Sequence, residues 1–187
     1  MSSRFDMVET RLAGLYRVDR KPISDHRGFF SRFFCAKEFK DLGLTKPITQ
    51  MNHTLTRQKG AIRGMHYQVL PCTETKIVTC LQGEVFDVAV DIRSGSPTFL
   101  QWHAERLSAK NPSSLYIPDG FAHGFQTLTD DCQLFYLHSD FYAPETEGAL
   151  NALDSMLAID WPLAVAEMSD RDRNHTLLDS HFKGITI

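Results

Sequence analysis

Four side chains between Ala61 and Lys76 could do chemistry together. The run Ala-Ile-Arg-Gly-Met-His-Tyr-Gln-Val-Leu-Pro-Cys-Thr-Glu-Thr-Lys brings a guanidinium (Arg63), an imidazole (His66), a phenol (Tyr67) and an ammonium (Lys76) into close succession. Arg63 and Lys76 offer positive charge. The free imidazole, with a pKa of ~6.5, both takes and gives a proton near neutrality. That set suits an anionic ligand from which a proton must be moved. A single histidine in a globular domain is more often structural than catalytic. A second one, His123, stands in Pro118-x-Gly120-x-x-His123 and is also marked by glycine, which shifts the balance towards function.

Such groups need a scaffold, and the punctuation around them is that of strands. Gly60, Gly64 and Pro71 break the first stretch, which has no helical period. Strict alternation would put Arg63 and His66 on opposite faces; a bulge at Gly64 would let both face one pocket. Glu84 to Arg93 is the clearest strand, with Phe86, Val88, Val90 and Ile92 on one face and Asp87, Ala89 and Asp91 on the other. Leu15–Val18, Gln50–Thr54, Lys76–Leu81, Trp102–Leu107 and Gln133–Leu137 read as further strands, and Asp119–Gly124 as a loop. Gln50, Asn52 and Thr54 share one strand face, which fits a solvated surface and a lined pocket equally well. Phe29, Phe33 and Phe34 read as core, with Phe30 open as a ligand contact. Ala36–Leu42 is the best short helix, stopped by Gly43. Short strands with frequent turns indicate an all-β sandwich or barrel. The C-terminal fifth, about 145–187, reads as loops and helical turns packing on it.

The chain has 187 residues, 42% hydrophobic and 23% charged, which suits one soluble globular domain spanning 1–187. A net charge of −3 supplies no general positive field for nucleic acid or anionic membranes, so any anion site is local. Cys35, Cys72, Cys80 and Cys132 form no CxxC pair, so neither a zinc knuckle nor a disulfide framework is expected. With no signal-peptide or membrane-spanning run, a cytoplasmic location is expected.

The segment Pro118-x-Gly120-x-x-His123 matches the second half of the cupin signature. Metal-binding cupins generally need a second histidine two residues after the first, but the corresponding run here is His66-Tyr67-Gln68, so no metal is expected. The chain resembles the metal-free cupin epimerases of nucleotide sugars typified by dTDP-4-dehydrorhamnose 3,5-epimerase. The likeness runs from about Asp25 to Leu178. It rests on Asp25-x-Arg27-Gly28-x-Phe30, Gln50-x-Asn52-His53, Ile62-Arg63-Gly64-Met65-His66-Tyr67-Gln68, Val85 to Arg93, Ser96-Pro97-Thr98, Ile117 to Phe125, Tyr142-x-Pro144-Glu145 and Ile159-Asp160-Trp161-Pro162. Each motif alone is weak; all of them in order are specific.

The resemblance implies a cupin jelly roll, no cofactor, a nucleoside-diphosphate sugar as substrate, and a homodimer with an exchanged N-terminal strand. It implies C3 and C5 epimerisation of a 4-keto-6-deoxy-hexose through an enolate. His66 is then the base, Asp172 the carboxylate that orients it, Tyr136 the acid on the opposite face, and Lys76 the cation holding the enolate oxygen. The phenol serves if nearby cations lower its pKa. His123 is implied to contact the sugar, and strand facing suggests Asp87 as its partner. Arg27, Phe30, Gln50, Asn52 and Arg63 match nucleotide and diphosphate contacts; Glu147 and Arg171 match two further binding positions. Two departures bear on the nucleobase. Arg32 replaces the usual glutamate, and Ala152-Leu153 replace a Trp-Asn pair, whose lost ring would widen the pocket or alter stacking. A single-centre epimerase, a non-catalytic nucleotide-sugar binder and a metallo-cupin are the rival readings.

Overall fold

The computed structural model describes residues 3–187, and its strands form two facing sheets. The first sheet has the order β1 (Phe5–Glu9), β2 (Tyr16–Arg20), β10 (Ser113–Ile117), β7 (Lys76–Gln82), β12 (Cys132–His138), β5 (Gln50–Thr56). The second runs β13 (Glu147–Ala149), β6 (Ala61–Gln68), β11 (Phe121–Thr127), β8 (Glu84–Asp91), β9 (Trp102–Ser108), with β14 (Glu167–Met168) pairing parallel to β6. A separate hairpin joins β3 (Ile23–Asp25) to β4 (Gly28–Phe30). The all-β jelly-roll expectation holds. No helix among the described residues is long and apolar enough to cross a membrane.

Both faces of the central strands are buried, against different partners. Between the sheets lie Val78, Cys80, Val85, Ala89, Leu107, Leu115, Ile117, Phe121, Phe125 and Leu134. On the outer face of the second sheet, Val88 and Val90 of β8 and Ile92 just after it pack with Leu150, Ala152, Leu157 and Met168 from the C-terminal segment. The apolar face of β8 read from the sequence is therefore this outer face, roofed by the end of the chain. The face carrying Asp87 and Ala89 looks inward, and Asp87 is fully buried. A third cluster joins Phe5, Val18, Phe39, Ile77, Tyr116 and Leu137 outside the first sheet. Phe39 belongs to α1 (Ala36–Phe39), which continues as one 3₁₀ turn to Leu42 before Gly43.

Two sequence expectations are corrected. The segment read as a loop around His123 is a strand, β11, entered by the turn at Pro118–Gly120. Phe29 and Phe33 are not core. Phe29 is 75% exposed, because the short β3–β4 hairpin has no element packed over it. Phe33 lies at the surface under Arg20, whose guanidinium carbon stands 4.3 Å from its ring centre. Of the three, only Phe34 packs against the third cluster.

Candidate active site

Strand β6 supplies Arg63 and His66, and its pairing with β11 explains how both reach one space. Arg63 pairs with Phe125, yet His66 pairs with His123, so one extra residue of β6 is accommodated between them. This is the bulge expected at Gly64. It turns Ile62 and Met65 together into the outer core and Arg63 and His66 together inward. Gly64 has a φ of +125°, and a Cβ there would sit 2.5 Å from the Cα of Gly124. A Cβ on Gly124 would in turn meet the Met65 sulfur at 2.5 Å. The two strands thus close on a pair of residues that have no side chain.

The inward groups line a cavity of about 210 Å³ formed by Asn52, Thr54, Arg63, His66, Lys76, His123, Phe125, Tyr136 and His138. The polar face Asn52–Thr54 of β5 is thus a pocket lining. His66 and Arg63 also border an adjoining cavity of about 500 Å³, walled by Arg57, Arg171 and Asp172 among others. A site for a nucleotide-sized ligand needs several hundred cubic ångströms, which the two together can offer.

Behind His66, Asp172 is 4% exposed and places Oδ1 2.8 Å from Nε2. Asp172 sits on α2 (Asp170–Arg173), whose Ser169 hydroxyl accepts from the Asp172 N–H. The Gly64 N–H donates to Asp172 Oδ2 at 3.3 Å, tying the bulge to the carboxylate. Burial raises the Asp172 carboxyl, but the His66 hydrogen bond and charge, with Gly64 and Ser169, outweigh it and hold the group below the usual range. With Nε2–H donating to Asp172, Nδ1 keeps the imidazole lone pair.

Tyr136 enters from β12 and meets the His123 ring edge-on, centroids 6.1 Å apart. His123 Nε2 lies 2.8 Å from Asp87 Oδ1, as strand facing suggested. The condition that nearby cations lower the Tyr136 phenol is not met: it is pushed up, by burial first and by the Asp87 charge second, against weaker opposing effects of Thr54 and Arg63. Lys76 lies 3.4 Å from the His66 carbonyl and 3.1 Å from Glu74.

Other anticipated positions are placed differently. Gln50 lies beside the cavity and donates to Asn52 Oδ1 at 3.3 Å. Glu147 and Arg171 are paired at 2.5 Å, with the Tyr142 hydroxyl donating to the same carboxylate at 2.7 Å. Burial raises Glu147, but Arg171 and Tyr142 prevail and lower it. Arg27 and Phe30 do not line the cavity of their own chain. They ride on the β3–β4 hairpin, where Arg27 pairs with Asp25 at 2.6 Å and Phe30 is 65% exposed. Ala152 is buried in the outer core and accepts a hydrogen bond from Trp161 Nε1, so the missing ring does not widen the pocket. Arg32 pairs with Glu38 at 3.4 Å.

Three groups escaped sequence reading: Glu74, His138 and His175. His138 had a signal, standing two residues after Tyr136 and so on the same strand face. Glu74 and His175 lie in irregular segments with no period to read. Among the described residues, His66, Asp172 and His175 are the group whose donor atoms converge, all within 4.8 Å of one another. A cation there would share Asp172 with the contact it already makes to His66, and Arg63 and Arg171 border the same space.

A cupin-like jelly roll that gathers a carboxylate-backed histidine, a phenol and a lysine at one cavity is the architecture of a cupin isomerase. The model of the dTDP-4-dehydrorhamnose 3,5-epimerase family matches residues 9–180, and the chain belongs to that family of isomerases. It is 40% identical over 170 residues to the dTDP-4-dehydrorhamnose 3,5-epimerase of Shigella flexneri, covering 90% of this chain and 93% of that one. The crystal structure of a dTDP-6-deoxy-D-glucose-3,5-epimerase from Legionella pneumophila, in complex with dTDP-4-keto-L-rhamnose, matches with a TM-score of 0.90. Its sequence is 41% identical, with 98% of this chain and 99% of that chain covered. A dTDP-4-dehydrorhamnose 3-epimerase of Streptomyces niveus is 36% identical over 168 residues, 89% of this chain and 81% of its own.

Proposed function

We propose that this protein epimerises a dTDP-linked 4-keto-6-deoxy-hexose at C3 and C5 by proton abstraction and return through an enolate. One observation carries the reading: His66 and Tyr136 open into a single cavity, with the Asp172 carboxylate against the back of the imidazole. His66 Nδ1 takes the proton next to the ketone, and the C–H electron pair moves into the enolate. Asp172 fixes the tautomer and stabilises the imidazolium. Lys76 faces the enolate oxygen, with His123, held by Asp87, beside the sugar. Tyr136 then gives its hydroxyl proton to the opposite face of the carbon, leaving phenolate, and exchange with solvent resets both groups. A raised phenol pKa suits this order of events. Tyr136 starts protonated, and an α-carbon binds its proton more tightly than a phenolate does, so the transfer runs downhill.

Arg63, Gln50, Asn52, Glu147 and Arg171 serve the nucleotide and diphosphate. Arg27 and Phe30 complete the site of a second copy in a cytoplasmic homodimer, since Ile23, Phe29 and Phe30 leave the hairpin with an apolar surface. Arg32 makes the nucleobase the least constrained part of the substrate, so dTDP-, CDP- and GDP-linked sugars belong in one assay. The test is His66→Ala. Nucleotide binding is expected to survive while exchange of the C3 and C5 protons with deuterated water disappears. Unchanged exchange refutes the assignment of the base. The Streptomyces niveus 3-epimerase favours one second reading, inversion at C3 alone, for which label enters only that carbon.

A further inference from the structure

The cavity holds a buried charged network in which two members, Glu74 and His138, have no part in the proposed proton transfer. Glu74 bridges two residues that face the ligand space. One oxygen lies 3.1 Å from Lys76 Nζ and the other 2.7 Å from His138 Nδ1. Side-chain exposure is only 8% for Glu74 and 11% for each partner. The His138 ring stacks on Tyr136, with centroids 5.9 Å apart and planes 22° from parallel. Its other nitrogen, Nε2, lies 3.2 Å from Asn52 Nδ2.

The polarity of this chain is fixed by its ends. Asn52 Oδ1 accepts from Gln50 Nε2, so the Asn52 amide nitrogen is the end that faces His138. An amide nitrogen only donates, so His138 Nε2 accepts and Nδ1 carries the proton that goes to Glu74. The histidine therefore links one hydrogen bond to the next. Donors point one way from Gln50 through Asn52 and His138 into the Glu74 carboxylate, which receives Lys76 from the other side. Burial works against the Glu74 charge, but Lys76 and His138 outweigh it and keep the carboxyl below its ordinary value. Burying such a pair seldom adds net stability over an apolar filling, because desolvation costs about as much as the attraction returns. What the arrangement secures is position.

We propose that Glu74 and His138 are positioning residues: they hold the Lys76 ammonium at the enolate oxygen and tie its placement to the Gln50–Asn52 end of the site, where the nucleotide is recognised. Nucleotide contact at Gln50 and Asn52 orders one end of the relay, and Lys76 is fixed at the other. This inference rests on the proposed role of Lys76, and the experiment separates the two.

Glu74→Gln, Lys76→Ala, their double variant, His138→Ala and His138→Asn are compared by proton exchange at the sugar, by nucleotide titration calorimetry and by melting. Glu74→Gln lowers kcat about ten- to 150-fold, the range for losing one charge-assisted hydrogen bond, with nucleotide affinity within about threefold. The double variant is no slower than Lys76→Ala alone, because Glu74 acts through that lysine. His138→Asn, which keeps a donor near the position of Nδ1, recovers most of the rate lost in His138→Ala. Losses that add in the double variant, or follow the drop in melting temperature across the set, overturn the relay while leaving Lys76 in its role. A Lys76→Ala protein with the wild-type rate overturns the role of Lys76 and the relay with it. Should Glu74→Gln fail to fold, the His138 pair decides: equal rates in His138→Ala and His138→Asn overturn the proposal.

Discussion

Replacing Asp172 by asparagine keeps the shape of the side chain and removes its charge. The amide can still occupy the space 2.8 Å from His66 Nε2 and 3.3 Å from the Gly64 N–H. It cannot stabilise an imidazolium as a carboxylate does. The difference between a charge-assisted and a neutral hydrogen bond at a buried site is about 1.5–3 kcal/mol. At about 1.4 kcal/mol per factor of ten, the enolisation rate falls roughly ten- to 150-fold. Because Asp172 sits behind the imidazole, the loss belongs to kcat, and nucleotide affinity stays within about twofold. The assay is deuterium incorporation at the sugar followed by proton NMR, beside calorimetric titration with dTDP. An Asp172→Asn protein that exchanges at the wild-type rate refutes the dyad. One that loses rate and affinity in equal measure shows the carboxylate to be a structural support for α2.

Three further outcomes follow from the geometry. Asp91 is fully buried. Burial pushes its carboxyl up, but Arg93, Ser96 and Thr98 prevail and hold it at about 2. A depressed carboxyl stabilises the fold above its unfolded pKa and loses that effect as pH falls through the folded value, so about 2.5 kcal/mol disappears between pH ~4 and ~2. Asp91→Asn is expected to melt about 5–10 °C lower at pH 7, with the gap closing in acid; a gap independent of pH contradicts the linkage. Gly64→Ala puts a methyl group 2.5 Å from Gly124 Cα at a φ of +125°, and at least ~2 kcal/mol of stability goes with the β6–β11 register; wild-type melting and turnover together would rule this out. Glu147→Gln releases Arg171 and Tyr142 from a half-buried pair and raises KM by no more than about fivefold at nearly constant kcat; a kcat effect instead places Glu147 at the chemistry.

Much of this was legible in the residues because strand alternation is local. The two faces of β8, the inward Asp87 and the glycine bulge of β6 all follow from period two and its interruption. What alternation cannot say is which side is inside. The apolar face of β8 faces a roof supplied by residues more than fifty positions later, and its acidic face is the interior one. The phenyl cluster misled for the opposite reason: apolar side chains on a short hairpin have nothing to bury against. Direction of the Tyr136 shift depends on how far desolvation of a buried phenol, with the Asp87 charge, exceeds the help of Thr54 and Arg63, a balance that no spacing reveals. Glu74 comes from an irregular segment and Asp172 from a charge-rich helical turn, where composition suggests a wet surface. Only the folded chain places them beneath the imidazole and the lysine.

The partner of His66 arrives late. Synthesis runs from the amino end, so every residue lining the cavity, from Asn52 to His138, leaves the ribosome before Asp172 does. A polypeptide interrupted between these points lacks the carboxylate, the Arg171 wall of the adjoining cavity and part of the lid over β8. The carboxylate that backs His66 is thus carried by the last helical turn in chain order among the described residues.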